Sequence, residues 1–285
     1  MVSAESVTDS GQRRPARSCV VNIMMGMPQP ISASETDAVI AVSALPERIL
    51  NAAAELVGQH GPQKTTVAEI ARAAGVGKGT AYLYWSSKEE LLLALLAHET
   101  LKWVLAVRDK LVRDPEDLCP SRLGVLLLDS WPRELVELIA SDLYLRRILA
   151  VHQQPREALD RSMPMKLCLR VLPLLRQKGL VRDDADALEQ AYVFDALMTG
   201  FVMGKMVDSA DFETVDPRAV LSRAIRALFE PPVAPGRSHC ERVLPEVLQV
   251  LDHAVAELND VMLAMTRPAE RSGKGQEERE AAGSQ

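Results

Sequence analysis

Aromatic residues make up only 4% of this 285-residue chain, and no stretch shows sustained strand-like alternation. Strands favour aromatic and β-branched residues, so a sheet is excluded as the main architecture. Long apolar runs are also missing. The run Leu91 to Leu96 falls far short of the roughly 20 residues that a membrane helix needs, so no membrane partner is expected. The four cysteines, Cys19, Cys119, Cys168 and Cys240, contain no C-x-x-C pair. That spacing argues against a disulfide framework or structural zinc and fits a reducing cytoplasm. His239 beside Cys240 lacks the spacing of metal ligands, so no metal or cofactor is expected. No G-x-S-x-G, H-E-x-x-H or paired-carboxylate motif is present, and the chain does not read as an enzyme. A basic surplus is missing too. The formal net charge is -6, which rules out coating nucleic acid by overall charge and leaves room for a local DNA-reading surface.

What is present is helix-forming. Hydrophobic residues reach 47%, with Ala and Leu abundant, enough for a substantial core. Residues 1–44 are rich in Ser, Pro and small residues and read as a mobile tail. Arg13, Arg14 and Arg17 precede an apolar stretch, Val20 to Met27, but Asn22 interrupts it and no small-residue cleavage site follows. Residues 267–285 are charged and carry Gly and Ser, and read as a second tail.

Between the tails the pattern is helical. Pro46 suits the first turn of a helix whose inner face is Ile49, Leu50, Ala53, Leu56 and Val57, and Gly61-Pro62 stops it. Thr66 with Glu69 reads as a capping box opening a short helix that ends at Gly75. Gly75-Val76-Gly77 makes a turn, and a third helix is expected from Lys78 to Trp85. Ser87 with Glu90 reads as a second capping box opening a long helix to about Arg113. A phosphate-cradling loop fails on spacing. The P-loop needs Gly where Arg72 stands and Ser/Thr where Gly79 stands, and the dinucleotide fingerprint needs Gly at Thr80.

This order of short helices and a sharp Gly turn is that of helix-turn-helix DNA binders. The residues from Thr65 to Leu92, and more loosely back to Arg48, resemble the DNA-binding signature of TetR-type regulators. The resemblance implies an all-α fold, with an N-terminal three-helix helix-turn-helix head at 45–92. A helical ligand-binding and dimerisation domain would follow at 93–230. It implies double-stranded operator DNA as partner, with Gly79 admitting close backbone approach and Thr80 and Tyr82 reaching base edges. Lys78, Tyr84, Lys88 and Thr66 would hold phosphate. Ala81 and Trp85 read as core residues locking the recognition helix, and Leu83 is open between DNA and a neighbouring helix. The turn often carries Ser where Gly77 stands, so one cap is missing. From Pro46 to Glu90 five basic residues face five acidic ones, and long-range attraction to DNA is modest.

Beyond the head, breaks are expected at Asp114-Pro115, Trp131-Pro132, Gln154-Pro155, Gly179 and Asp216-Pro217. Ala158 to Lys178, Asp184 to Val207 and Pro217 to Phe229 are the clearest helices. The resemblance assigns the last two to a homodimer interface. Gly200 and Gly204 on the first of them suit close packing, across a two-fold axis or inside one subunit. It also implies a pocket for a small apolar effector, with Trp103, Trp131, Tyr144, Met163, Met165, Phe194 and Met198 as candidate liners. After Pro231-Pro232 an additional amphipathic helix, within 231–266, runs from Leu244 to Met262. It reads as a cover for the sensor core or an extension of the dimer interface. Its acidic polar face argues against a membrane. The expected function is a repressor released by an apolar effector. The alternatives are a regulator controlled by a protein partner through the added helix, and a helical enzyme.

Overall fold

The computed structural model describes residues 44–140, 164–205 and 213–268. Both expected tails, Tyr144, Met163, the Gln154-Pro155 break and the start expected at Ala158 lie outside the described residues, apart from a few residues at the inner edges of the tails. Among the described residues there are ten α-helices and no strand.

Helix α1, Ala44–Lys64, buries Pro46, Ile49, Leu50, Ala53 and Val57. Its regular course breaks at Gly61, whose φ of 76° lies in the left-handed region that favours glycine. The Thr65 hydroxyl donates to the Gly61 carbonyl at 2.9 Å and closes the broken end. Helix α2, Val67–Ala73, begins in the expected capping box. It ends at Gly75, φ 67°. There the Gly75 N–H donates to Arg72 O at 3.0 Å and the Val76 N–H to Ala71 O at 2.9 Å, a Schellman closure of the last carbonyls. Helix α3 spans only Lys78–Ala81. The expected continuation to Trp85 is a tighter run of turns, with Leu83 N bonding Thr80 O and Tyr84 N bonding Ala81 O, three residues back in each case.

Helix α4, Lys88–Arg113, is the spine, and every residue from Leu91 to Leu101 is buried. A single 3-10 turn, Pro115–Leu118, follows under an Asp114 cap. Then come α5, Pro120–Ser130, and α6, Arg133–Ala140. Helices α7, Pro164–Gln177, and α8, Ala187–Gly204, pack on each other. The turn after α7 uses Gly179, φ 71°. Asp186 caps α8 through the Leu188 and Glu189 amides at 2.8 and 3.1 Å. Helix α9, Pro217–Phe229, starts at Asp216 as its sequence predicts.

Helix α10, Arg237–Met265, is longer than the expected Leu244 to Met262. It lies along α4, the most extensive helix pair among the described residues. Its apolar stripe, including Val247, Leu251, Val255 and Leu258, is buried within the chain. Of the two roles the sequence left open, covering the core is the one seen. Two of its acidic residues clamp it in place: Asp252 accepts from Arg108 Nε at 2.6 Å, and Glu246 pairs with Lys178. Arg108 is buried while Asp252 is 40% exposed, so water still screens one side of the pair.

Gly200 and Gly204 make no close helix approach inside the single chain. Gly200 and Gly204 are exposed, and a Cβ built on either meets nothing within 4 Å. Gly124 on α5 instead lies against α9, where an added Cβ would sit 2.1 Å from Ile225 Cδ1.

Candidate nucleic-acid interface and an apolar cavity

The head places its residues in two groups. Ala81 is fully buried and Trp85 nearly so, at 2% exposure, and they fix the back of the recognition segment. Lys78, Gly79 and Tyr82 face out on the other side. Lys78 Nζ sits 5.6 Å from the centre of the Tyr82 ring, a cation–π contact that holds both side chains at the tip. A Cβ on Gly79 would meet no protein atom within 4 Å, so nothing inside the chain requires glycine there. Thr80 is half-buried, and its hydroxyl lies near Gly77. Leu83 is 44% exposed and faces away from the chain's own core. Tyr84 is half-buried, its ring tilted against Trp85 at 5.6 Å between centroids.

Gly77 caps α3 without any side-chain hydrogen bond, the missing cap that the sequence predicts. Thr66 and Lys88 flank the tip and have partners within the chain. The Thr66 hydroxyl donates to Glu69 Oε2 at 2.7 Å, and the Thr66 amide to the same oxygen at 2.9 Å. These bonds hold the Glu69 carboxyl below its ordinary range. A phosphate at Thr66 would therefore have to compete with a carboxylate for the hydroxyl proton. Lys88 Nζ donates to the Gln63 carbonyl at 3.2 Å and so reaches back to the end of α1. The Ser87 cap is only half the expected box. Its hydroxyl accepts from the Glu90 amide at 3.1 Å, but the Glu90 carboxylate takes the Ser86 amide at 2.5 Å. Sequence reasoning missed Arg48 as a positioning residue. Its guanidinium donates to the Ala74 carbonyl at 2.7 Å and ties α1 to the turn that aims α3.

Below the head lies a wholly apolar cavity of about 40 Å³. Trp103 and Phe194 line it, as expected. Trp131 and Met198 are not part of its wall. Trp131 packs its ring on Trp103 at 5.3 Å, and Met198 is buried beside Gly124. Residues the sequence did not nominate complete the wall, notably Leu111 and Leu127 with Val247 and Leu251 from α10. Their participation depends on where α10 docks, which no local pattern reveals. On α8, Leu188 and Tyr192 are 70% and 73% exposed, although the helix is apolar nearly all round.

With this geometry in view, comparison with known proteins is decisive for the head. Residues 49–95 match the family model described as bacterial regulatory proteins, tetR family. The head, residues 49–95, is a TetR-type DNA-binding head. It is 42% identical over 48 residues to the fatty acid metabolism regulator protein of Bacillus subtilis (strain 168), a match covering 17% of this chain and 25% of that one. Over 91 residues the chain is 33% identical to the HTH-type transcriptional regulator BetI of Agrobacterium fabrum (strain C58 / ATCC 33970), covering 32% of this chain and 37% of that one. The matches thus span well under half the length of these curated relatives. A solved TetR-family transcriptional regulator from Rhodococcus sp. superposes with a TM-score of 0.50 at 20% identity, over 65% of this chain and 98% of the other. That likeness concerns the fold alone. Among the described residues no helix is long and apolar enough to cross a membrane.

Proposed function

We propose that this chain is a homodimeric repressor that grips operator DNA through the tip of α3 and lets go when an apolar effector enters the helical core. One observation carries the reading: Lys78, Gly79 and Tyr82 form an exposed tip whose reverse side, Ala81 and Trp85, is locked in the core. A tip of that shape enters a major groove without deforming the head. Thr80 and Tyr82 read base edges, while Lys78 and Tyr84 set register on phosphate, with Lys88 and Thr66 as secondary phosphate contacts.

The division of labour is a head at 45–92, a sensor and dimer unit at 93–230, and a covering helix within 231–266. Two heads must stand about 34–36 Å apart, or a multiple, to meet successive turns of DNA, and only a dimer supplies two. The exposed apolar face of α8, with Leu188, Tyr192, Gly200 and Gly204, supports a helix-on-helix seat for the second copy. The wholly apolar wall of the cavity supports an effector with an apolar body. The cavity's 40 Å³ is well below the roughly 300 Å³ of an ordinary ligand site. An effector must therefore hold the core in a more open state and shift the population towards it.

The test is pulldown of promoter fragments from the source genome, followed by titration of the bound fragment. Thr80→Ala and Tyr82→Ala are each expected to weaken binding about 10–100-fold, with the fold and the dimer intact. Undiminished binding by the folded double variant would overturn the reading.

A further inference from the structure

The fold brings together two cysteines that lie 121 residues apart in sequence. Cys119 is the N-cap residue of α5 and has no capping hydrogen bond. Cys240 lies in the first turn of α10. Their sulfurs are 3.8 Å apart, and Cys119 Sγ is also 3.9 Å from the Pro235 carbonyl. A disulfide needs about 2.05 Å, so side-chain rotation of under about 2 Å would close the gap. Neighbouring bonds pin both backbones. Arg237 of α10 reaches Asp114 at 3.3 Å, Arg122 gathers Asp114, Glu116 and Asp117, and the Ser121 amide donates to Glu230 Oε1 at 2.9 Å.

We propose that Cys119 and Cys240 form an intramolecular disulfide under sustained peroxide exposure, stapling α10 to the start of α5. Cys119 is half-buried and Cys240 fully buried, so the oxidant meets Cys119 first. The Cys119 thiolate attacks the peroxide O–O bond, giving a sulfenic acid and, with one proton, water. The Cys240 sulfur then attacks the Cys119 sulfur and expels the hydroxyl as a second water. The balance is two thiols and one hydrogen peroxide in, one disulfide and two waters out.

Burial, then the neighbouring Cys240 and Glu230, push the Cys119 thiol up to about 12. The thiolate is scarce at neutral pH, so the staple forms slowly and records lasting oxidation. Its rate rises about tenfold per pH unit in the neutral to mildly alkaline range, because the thiolate fraction does. On the proposed effector reading, the staple also stiffens the cavity wall, since Val247 and Leu251 follow Cys240 on the same helix.

The experiment treats the full chain with hydrogen peroxide at pH 8 and digests it without reductant. Expected are loss of the mass of two hydrogens, a linked peptide pair holding Cys119 and Cys240, and a melting temperature raised by about 10 °C and restored by dithiothreitol. Cys119→Ser, at a half-buried site, is expected to keep the fold and lose all three changes. Cys240→Ala checks the buried partner without introducing a hydroxyl. Linkage through Cys19 or Cys168 instead, or oxidation of both thiols without a link, would overturn the proposal. The readout uses neither DNA nor effector, so its failure is separate from failure of the repressor reading.

Discussion

His98 and Glu99 are both buried on α4, at 1% and 2% exposure. Burial alone would raise the Glu99 carboxyl. The bond to His98 Nδ1 at 3.1 Å and the charge of Lys102, also at 3.1 Å, outweigh it and hold the carboxyl below its ordinary 4.5. A carboxyl depressed in the folded state binds fewer protons than in the unfolded chain. The unfolded state therefore takes up protons as pH falls below about 4.5, and stability falls with it. Thermal melts from pH 6 to pH 3 are expected to show this loss, with a shallower slope for Glu99→Gln. An equal slope would mean that other carboxylates carry the effect. The same scale explains what was legible at the tip. Thr66 and Gly75 have roles set by neighbours within five residues, and these roles could be read from short motifs. Arg48 could not, because its partner Ala74 lies 26 residues away.

Helix ends and helix crossings give two element-scale tests. Gly77 caps α3 with φ −70° and ψ 147°, a conformation open to any residue, and offers no side-chain acceptor. Gly77→Ser supplies one and is expected to stabilise the head by a few tenths of a kcal/mol, read from urea melts. No gain would mean that the hydroxyl does not reach the first-turn amides. At the α5–α9 crossing, Gly124→Ala places a methyl 2.1 Å from the end of Ile225, a side chain with no exposure. The expected cost is about 1–3 kcal/mol, and adding Ile225→Val, which removes that end, is expected to recover much of it. Additive losses in the double variant would place the strain elsewhere. Inside the single chain the close approach is at Gly124, while the Gly200 and Gly204 pair faces outward. A small-residue spacing marks helices that tolerate approach, but it does not say which helix will come.

At the scale of the whole molecule, the exposed face of α8 is the one the proposed dimer would cover. Leu188 and Tyr192 remain mostly exposed on an apolar helix, and such a helix is ordinarily buried. Tyr192→Glu is expected to shift the chain from dimer to monomer in sedimentation, with helicity unchanged and DNA affinity lowered by loss of the second head. A dimer that survives the charge would move the interface to another face. The same scale fixes the cavity. Leu111 and Leu118 at the end of α4 and in the 3-10 turn, Phe194 on α8 and Leu251 on α10 meet only because α10 folds back along α4.

The amino-acid order alone determined the all-helical class, the capping box at Thr66, the left-handed turn at Gly75 and the family of the head. Each depends on hydrogen bonds and side-chain periodicity within one or two turns, which any window of the sequence displays. Tertiary structure alone decided that α10 walls the core, that Gly124 takes the α5–α9 crossing, and that Cys119 meets Cys240. Those contacts join residues about a hundred or more apart, and their partners are chosen by how whole helices share the space between them.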